Sequence, residues 1–319
     1  MNVSVIGCGR WGGFLAWYLD RLGHRVALCG RPDSPRLAAF METRSNGSVT
    51  LPPSVALYTD LGQAVDRADI LVISIGSQGL RSLMGEIAAL SPANKDVVLC
   101  MKGLEMGTGR RLSEIAGEYL PASCPVSVWL GPGHVQEFVA GIPNCMVIDS
   151  LDEAPKERLI QAFKGDLIRF YYGQDLVGNE IGAAAKNVIG IAAGMLDGLD
   201  RTNLKGALMS RGAREIAHLI AALGGNEQSA YGLCHLGDYQ ATVFSPFSHN
   251  RHYGEALIRK EPFNKLAEGC YTVKALLSLG ACYGVELPIC EAVDAVIYRS
   301  AVPQETLDAL FTRSLKKEF

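Results

Sequence analysis

Residues 2–12 read "NVSVIGCGRWG", a short β-rich run that leads directly into Gly7, Gly9 and Gly12. A GxGxxG pattern at a strand-to-helix turn allows a tight turn and brings backbone N–H groups close to a pyrophosphate at the helix N-terminus. Short glycine patterns also recur by chance, so the informative feature is the position at the start of a βαβ unit. The stretch predicts a dinucleotide-binding site.

The pattern of residues 1–172 differs from that of the rest of the chain. Seven β-rich runs alternate with helix-like segments: VSVI, RVALC, ILVISI, VVLCM, VSVWL, CMVID and IRFYY. This alternation is typical of a parallel sheet wrapped by helices. After GQDLVG, Ala-, Leu- and Gly-rich segments follow at residues 179–199, 203–223, 264–283 and 288–298. We predict an α/β protein with a Rossmann-like doubly wound sheet in residues 1–175, an all-helical domain in residues 176–319, and a small-molecule cleft between them.

Composition excludes several classes of protein. The net charge of -3 gives no broad basic field for nucleic acid. No run reaches the eighteen or so apolar residues of a membrane span, and the first residues do not resemble a secretory signal. The nine cysteines are odd in number and form no CxxC pair, which argues against a disulfide framework or a metal site. We expect a cytoplasmic protein without a structural metal.

A lysine in the middle of an apolar segment needs an explanation. In "EIGAAAKNVIGIAAGMLDGL", residues 180–199, the helical neighbours of Lys186 are Gly182, Ala183, Ile189 and Gly190. Burial lowers the pKa of an ammonium group, which makes an amine usable as a general acid near neutral pH. The alternative interpretation is a lysine whose stem covers apolar surface while its head reaches water.

The second β-rich run ends at Gly30 and Arg31, without the acid that an NAD-specific site usually places there for the ribose hydroxyls. A guanidinium suits the 2′-phosphate of NADP. Arg31 therefore favours NADPH over NADH as cofactor, the alternative being a solvated surface arginine.

Eight segments follow one another through nearly the whole chain: GCGRWG, MKGLEMGTGRRLSE, LGPGHVQEFVAGIP, GNEIGAAAKNVIGIAAGMLDGL, RGAREIAHLIAALG, LGDYQAT, SHNRHYGEAL and EGCYTVK. In this order they resemble the bacterial type of NAD(P)-dependent glycerol-3-phosphate dehydrogenase. The resemblance implies hydride transfer between NAD(P)H and dihydroxyacetone phosphate, or the reverse from sn-glycerol 3-phosphate, in phospholipid biosynthesis. It also implies a homodimer.

The resemblance assigns roles to particular residues. The implied catalytic residues are Lys186, Lys102, Asp238, Asn187 and Thr242. With the glycine pattern and Arg31, the implied cofactor-binding residues are Gly7, Gly9, Arg10, Trp11, Gly12, Arg31, Lys102, Val135 and Glu268. The implied substrate-binding residues are Lys102, Gly131, Gly133, Lys186, Asp238, Ser248, His249, Asn250 and Arg251.

These roles agree with the chemistry of ketone reduction. Hydride addition builds charge on the ketone oxygen, so a positioned donor must stabilise that oxygen and protonate it. Lys186 is the candidate donor, Asp238 would hold its ammonium group, and Lys102 would supply a second positive charge. For Asp238 the alternative is a loop acid that caps the next helix. Retention of these residues argues against a nucleotide-binding protein without turnover.

Two motifs depart from the family pattern. The family's GPSFA or GPTFA reads GPGHV here, so Gly133 replaces a hydroxyl and His134 replaces an aromatic ring. The family's SRNR reads SHNR here, so His249 takes the position of an arginine that binds phosphate and cofactor in the family. A histidine loses its charge near neutral pH, whereas an arginine does not. The alternative substrate is therefore another small phosphorylated, phosphonate or carboxylate ketone, unless Arg251 or Lys205 supplies the missing charge.

Overall fold

The computed structural model describes residues 1–312; residues 313–319 of the predicted helical domain lie outside the described part. Eight strands form one sheet in the order β3-β2-β1-β4-β5-β6-β7-β8. They are β1 (Asn2–Ile6), β2 (Arg25–Cys29), β3 (Ala56–Tyr58), β4 (Ile70–Ile73), β5 (Asp96–Leu99), β6 (Val126–Leu130), β7 (Asn144–Ser150) and β8 (Ile168–Tyr172).

The sheet is doubly wound, as the sequence predicts. Strand β1 pairs in parallel with β2 on one side and with β4 on the other. The chain therefore leaves β1 in opposite directions along the sheet. A crevice opens at such a switch point, outside the carboxyl ends of the strands.

Two strands differ from the sequence expectation. The sheet is mostly parallel, as predicted, and the exception is β7, which runs antiparallel to β6. Gly131 and Gly133 follow β6 with positive φ angles, a conformation that suits glycine, and the chain turns back there. Strand β3 was not predicted, because it has only three residues, all half-buried, and offers no apolar run.

Seven helices cover both faces of the sheet. They are α1 (Arg10–Arg21), α2 (Pro35–Thr43), α3 (Leu61–Asp66), α4 (Leu80–Ala89), α5 (Leu112–Tyr119), α6 (Val135–Val139) and α7 (Glu153–Phe163). One apolar cluster on the sheet includes Phe14, Tyr18 and Trp129, and a second includes Leu80 and Met84. The central strands are buried on both faces, which explains why they read as nearly continuous apolar runs.

The second half is helical, as predicted, and residues 173–312 contain no strand. Its helices are α8 (Leu176–Gly198), α9 (Lys205–Ala222), α10 (His249–Arg259), α11 (Gly269–Tyr283), α12 (Pro288–Tyr298) and α13 (Pro303–Phe311). Helix α11 begins at Gly269 rather than at residue 264, and α10 and α13 were not predicted. None of the helices in residues 1–312 combines the length and the hydropathy needed to span a bilayer.

Helix α8 is the centre of the helical half and is buried along almost its whole length. A Cβ at Gly194 would collide with the carbonyl oxygen of Arg251, and a Cβ at Gly254 would collide with that of Ile191. Glycine at these positions lets the backbones of α8 and α10 approach closely. The approach brings the first residues of α10 beside the middle of α8, where Lys186 lies.

Candidate active site

A cleft of about 1060 Å³ lies along the carboxyl edge of the sheet and is closed by the helical half. Gly9 and Lys102 line it from the sheet side, and Lys186, Asp238 and Glu268 line it from the helical side. Its volume is at the upper end of the range for small-molecule sites. The cleft predicted from the two-part sequence pattern is therefore present.

The glycine turn between β1 and α1 fits a dinucleotide. Gly7 has a φ of +117°, and a Cβ there would collide with the carbonyl oxygen of Ser74. A Cβ at Gly12 would collide with the carbonyl oxygen of Gly7. Gly9 differs, because its Cβ would meet only the Arg36 guanidinium, at 3.6 Å. It caps α1 without a side-chain hydrogen bond, so the first N–H groups of the helix are free for a pyrophosphate.

Two arginines mark the end of the cleft beyond β2. The Arg31 side chain is 86% exposed and lies 3.8 Å from the Asp33 carboxylate, a loose contact in water. Arg36, the second residue of α2, lines the same part of the cleft. This end therefore suits a ligand with an additional phosphate.

Two lysines share one carboxylate in the middle of the cleft. The Lys186 Nζ lies 2.7 Å from Asp238 Oδ2 and donates to Thr242 Oγ1 at 2.8 Å. Lys102 follows β5. Its Nζ lies 2.7 Å from the same Asp238 oxygen and donates to the Gly131 carbonyl oxygen at 2.6 Å. Two ammonium groups and one carboxylate leave a net positive charge, which suits developing negative charge on a substrate oxygen.

Burial tunes the Lys186 amine. Its side chain is 9% exposed, and that of Asp238 is 1% exposed. Burial lowers the pKa of Lys186 to about 8, with Asp238 opposing the shift and Lys102 adding to it. An amine with a pKa near the working pH is an effective proton donor. Asp238 Oδ1 is also buried and has no hydrogen-bond partner in residues 1–312.

The small face of α8 around Lys186 is explained by what packs on it. A Cβ at Gly182 would lie 2.9 Å from the Cβ of His235, and one at Gly190 would lie 2.7 Å from the Thr242 methyl group. The His235 ring bonds through Nδ1 to the Gly182 carbonyl oxygen at 2.8 Å. Glycines thus let residues 235–242 lie directly on α8, which places Asp238 and Thr242 at the Lys186 ammonium. The alternative interpretation, in which the Lys186 stem covers apolar surface while its head reaches water, does not fit a side chain that is 9% exposed.

A chain of amides joins the two halves beside the lysines. Asn187 donates to the Lys102 carbonyl oxygen at 2.9 Å and accepts from Asn250 Nδ2 at 3.0 Å. The Asn250 Oδ1 accepts from the backbone N–H of Gly269 at 3.0 Å. The amides of Asn187 and Asn250 therefore fix the end of β5, α8, α10 and α11 relative to one another.

Glu268 lies at the cleft edge and bonds to the sheet half. Its carboxylate accepts from the backbone N–H of Ser77 at 3.0 Å and from the Ser77 hydroxyl. Ser248 caps α10 by accepting from the Arg251 N–H at 3.3 Å. Both side chains remain at the cleft while making these bonds.

Both histidines that depart from the family pattern line the cleft. Burial lowers the pKa of His134 to about 4, and its ring lies edge-on to Phe247 at 5.5 Å. Burial and the charges of Arg10 and Lys265 lower the pKa of His249 as well. Both imidazoles are therefore uncharged at neutral pH. The sequence predicts that His249 loses its charge near neutral pH, and in the structure this loss is shifted to lower pH.

Most of the residues expected to form the site line this cleft. They are Gly7, Gly9, Arg10, Trp11, Arg31, Lys102, Gly133, Lys186, Asn187, Asp238, Thr242, Ser248, His249, Asn250 and Glu268. Three others support it from behind. Gly12 lets α1 start against Gly7, Gly131 accepts from Lys102, and Val135 is buried at the first turn of α6.

Arg251 lies apart from the cleft lining. Its Nε bonds to Asp197 Oδ2 at 2.6 Å, and the Lys205 Nζ bonds to the same oxygen at 2.6 Å. Both cations are thus bound to a buried carboxylate. Neither lines the cleft, so the geometry does not favour Arg251 or Lys205 as the source of the charge that His249 lacks.

Several lining residues were not among those expected. They are Cys8, Arg36, Asn46, Ser74, Phe247 and Lys265. Ser74 follows β4, and the rule that ligands bind at the carboxyl ends of strands would have found it. Arg36 and Lys265 carry no comparable signal, because each is a single basic residue in a polar stretch.

Comparison with known proteins agrees with this geometry. Residues 2–155 match the model of the NAD-dependent glycerol-3-phosphate dehydrogenase N-terminus, and residues 175–308 match that of the C-terminus. Glycerol-3-phosphate dehydrogenase [NAD(P)+] from Chlorobium limicola is 36% identical over 332 residues, covering 100% of this chain and 99% of the relative. The enzyme of that name from Pelodictyon phaeoclathratiforme is 35% identical over 334 residues, with the same coverage.

A solved structure shows the same fold. The crystal structure of glycerol-3-phosphate dehydrogenase from Coxiella burnetii superposes with a TM-score of 0.92 at 26% identity, covering 98% of this chain and 99% of that chain. Sequence and structure agree over both halves of the molecule. The chain belongs to the NAD-dependent glycerol-3-phosphate dehydrogenase family.

Proposed function

We propose that the protein interconverts dihydroxyacetone phosphate and sn-glycerol 3-phosphate, with NAD(P)H as the hydride donor. The observation that carries the proposal is the cluster of Lys186, Lys102 and Asp238 at the cleft. Family membership supports the reaction, and the glycine turn at α1 supports the cofactor. Supply of sn-glycerol 3-phosphate for phospholipid biosynthesis is the role that this reaction would serve.

The protein's own groups handle the proton and the charge. Bound NAD(P)H supplies the hydride. Lys186 gives a proton from its Nζ to the ketone oxygen as that oxygen gains negative charge, and the neutral amine then takes a proton from solvent. Lys102 stabilises the same oxygen electrostatically, and Asp238 keeps both ammonium groups at the cleft. Hydride plus proton converts the ketone into the alcohol.

The remaining residues bind and orient the ligands. Gly7, Gly9 and Trp11 would hold the cofactor pyrophosphate region at the N-terminus of α1, with Glu268 at the opposite edge. Arg31 would meet the 2′-phosphate of NADP, and NADPH is therefore favoured over NADH. The substrate would lie against the lysines, near Ser248, His249, Asn250 and Gly133.

A second candidate function keeps the hydride chemistry and changes the substrate. Gly133 offers no hydroxyl, and the His249 imidazole is uncharged at neutral pH, so two phosphate-binding features of the family pattern are missing. A small phosphonate or carboxylate ketone, or a different phosphorylated one, is the alternative.

A substrate panel decides between these functions. Oxidation of NADPH and NADH by the purified protein is followed with dihydroxyacetone phosphate, dihydroxyacetone, and small phosphonate and carboxylate ketones. The proposal predicts the highest kcat/KM for dihydroxyacetone phosphate. A higher kcat/KM for a phosphonate or carboxylate ketone establishes the second function. Absence of turnover with dihydroxyacetone phosphate, while NADPH binding is demonstrated by fluorescence, refutes the first.

Assembly, domain limits and location complete the proposal. A cytoplasmic homodimer is inferred from the family resemblance, and all nine cysteines are free, which agrees with a reducing compartment. We place the dinucleotide-binding domain at residues 1–175 and the helical domain at residues 176–319, since the last strand ends at Tyr172 and α8 begins at Leu176. Sedimentation equilibrium tests the dimer.

A further inference from the structure

Arg10 is an unusual feature of this cleft. It is the first residue of α1, follows Gly9 directly, and is half-buried. Burial lowers the pKa of its guanidinium, and no opposite charge offsets that shift. Within residues 1–312, Arg10 makes no ion pair and no side-chain hydrogen bond. Buried charges in proteins are normally paired, so an unpaired guanidinium at a ligand cleft indicates an anionic ligand.

The charge of Arg10 acts on the two positions where this chain departs from its family. Arg10 lowers the pKa of His249, together with burial and Lys265. It also lowers the pKa of His134, after burial and Lys186. Arg10, His134 and His249 all line the cleft. A permanent cation therefore lines the same cleft as the position at which a histidine stands in place of an arginine.

We propose that Arg10 binds a phosphoryl group in the cleft and takes over the anion contact of the arginine that His249 replaces. The inference rests on the proposed function, which places both a pyrophosphate and a substrate phosphate in this cleft. Both positions line the same cleft, so a guanidinium at the start of α1 can supply the charge that the start of α10 lacks.

Physical chemistry favours Arg10 over four other cationic groups, each of which is bound to a carboxylate of the protein. Arg251 and Lys205 are bound to Asp197. Lys102 and Lys186 are bound to Asp238. A guanidinium is always charged and can form two parallel bonds to a phosphoryl group, which an imidazole cannot. The free N–H groups of the first turn of α1 add to the same positive field.

The test compares Arg10→Met with Arg21→Met, at the last position of the same helix, where the side chain is 48% exposed and pairs with Asp166. Binding of NADPH, NADH and sn-glycerol 3-phosphate is titrated by fluorescence and calorimetry, without turnover. Kinetics follow with dihydroxyacetone phosphate and with dihydroxyacetone. Circular dichroism and the Tm establish that each variant is folded, and Arg10→Lys keeps the charge without the fork.

Arg10→Met is expected to weaken a phosphoryl contact about ten- to hundredfold, the range for a charge-assisted hydrogen bond, and Arg10→Lys less. If Arg10 binds the substrate phosphate, sn-glycerol 3-phosphate affinity and kcat/KM for dihydroxyacetone phosphate fall, while activity on dihydroxyacetone does not. If it binds the pyrophosphate, the affinities for NADPH and NADH fall together. Arg21→Met should match the wild type in every measurement.

The double variant Arg10→Met/His249→Arg tests the exchange itself. It should recover most of the lost affinity, whereas His249→Arg alone should gain little, because two guanidinium groups would then repel each other. Two results overturn the inference: Arg10→Met within about twofold of the wild type for all three ligands, or a double variant no better than Arg10→Met. A wild-type protein that binds sn-glycerol 3-phosphate but does not turn over dihydroxyacetone phosphate refutes the proposed function instead.

Discussion

The lysine cluster and the rim of the cleft, which carries Arg10 and Arg31, are built on opposite principles. In the lysine cluster, Lys102, Lys186 and Asp238 bond to one another, and Asp238 is 1% exposed. At the rim, Arg10 has no partner within residues 1–312, and Arg31 is 86% exposed with only a distant carboxylate. In the lysine cluster the cations have a carboxylate partner within the protein, whereas at the rim positive charge is left over for a ligand.

This difference indicates that the lysine cluster determines the type of reaction, whereas the rim determines which substrate is bound. Groups that hold one another keep their geometry whatever the ligand, so hydride transfer to a ketone depends on the buried cluster. Groups that await an anion can change between relatives as long as the cleft keeps a suitable charge. This explains how the chain retains Lys186 and Asp238 while His249 stands in place of an arginine.

Lys186→Ala should have the largest effect. Loss of the proton donor is expected to lower kcat about a hundred- to ten-thousandfold. NADPH affinity should stay within a few-fold, because the proposed cofactor contacts lie at the rim. Steady-state kinetics and a fluorescence titration measure the two quantities. Lys164→Ala, which removes an exposed lysine, serves as the control. Retention of more than about a tenth of the wild-type kcat would remove Lys186 from the proton-donor role.

Asp238→Asn should have the next largest effect, on the order of tenfold to a hundredfold in kcat. The carboxylate raises the pKa of Lys186 and also holds Lys102, so its loss leaves two ammonium groups facing each other. The alkaline limb of the kcat profile should therefore move to lower pH.

The matched control for Asp238→Asn is Asp294→Asn, which removes a buried carboxylate that pairs with Lys274 and Arg299 and does not line the cleft. It should lower the Tm without moving the pH limb. Identical pH limbs in Asp238→Asn and the wild type would show that Asp238 does not set the protonation of Lys186.

Arg31→Ala should have the smallest effect, since an exposed ion pair contributes at most about 1 kcal/mol. NADPH should bind up to about fivefold more weakly, NADH should be unaffected, and the preference should shrink as salt screens the contact. Titration of both cofactors at low and high ionic strength measures it. Equal NADPH affinity in wild type and variant would exclude Arg31 from the site.

Much of the fold was predictable because its signals are local. All seven β-rich runs form strands, and the central ones read as apolar runs because parallel strands buried on both faces must be apolar. Strand β3 was missed because it is short and half-buried. Helix α10 was missed because only Gly254 and Ala256 are buried in it, so it shows little apolar pattern.

The residues of the candidate site were predictable only where they lie within a motif of the family. The family motifs, taken in their order along the chain, predicted that Lys186 and Asp238 belong to one site although the two residues are remote in sequence. The orientation of single basic side chains was not predictable, because it depends on partners remote in sequence. Arg251 lies beside Asp197 rather than at the cleft, and Arg10 faces the cleft without a partner.

The pH dependence of kcat in both directions tests the proton-donor role of Lys186 most directly. Reduction needs the ammonium form, and the pKa of Lys186 is lowered to about 8, chiefly by burial. With dihydroxyacetone phosphate and saturating NADPH, kcat should be constant from about pH 6 to about pH 7 and should fall as the pH rises through about 8. With sn-glycerol 3-phosphate and NADP, which needs the neutral amine, kcat should rise through the same pH. A reduction rate that is constant up to about pH 10, or limbs that do not mirror each other, would contradict Lys186 as the group that gives and takes the proton.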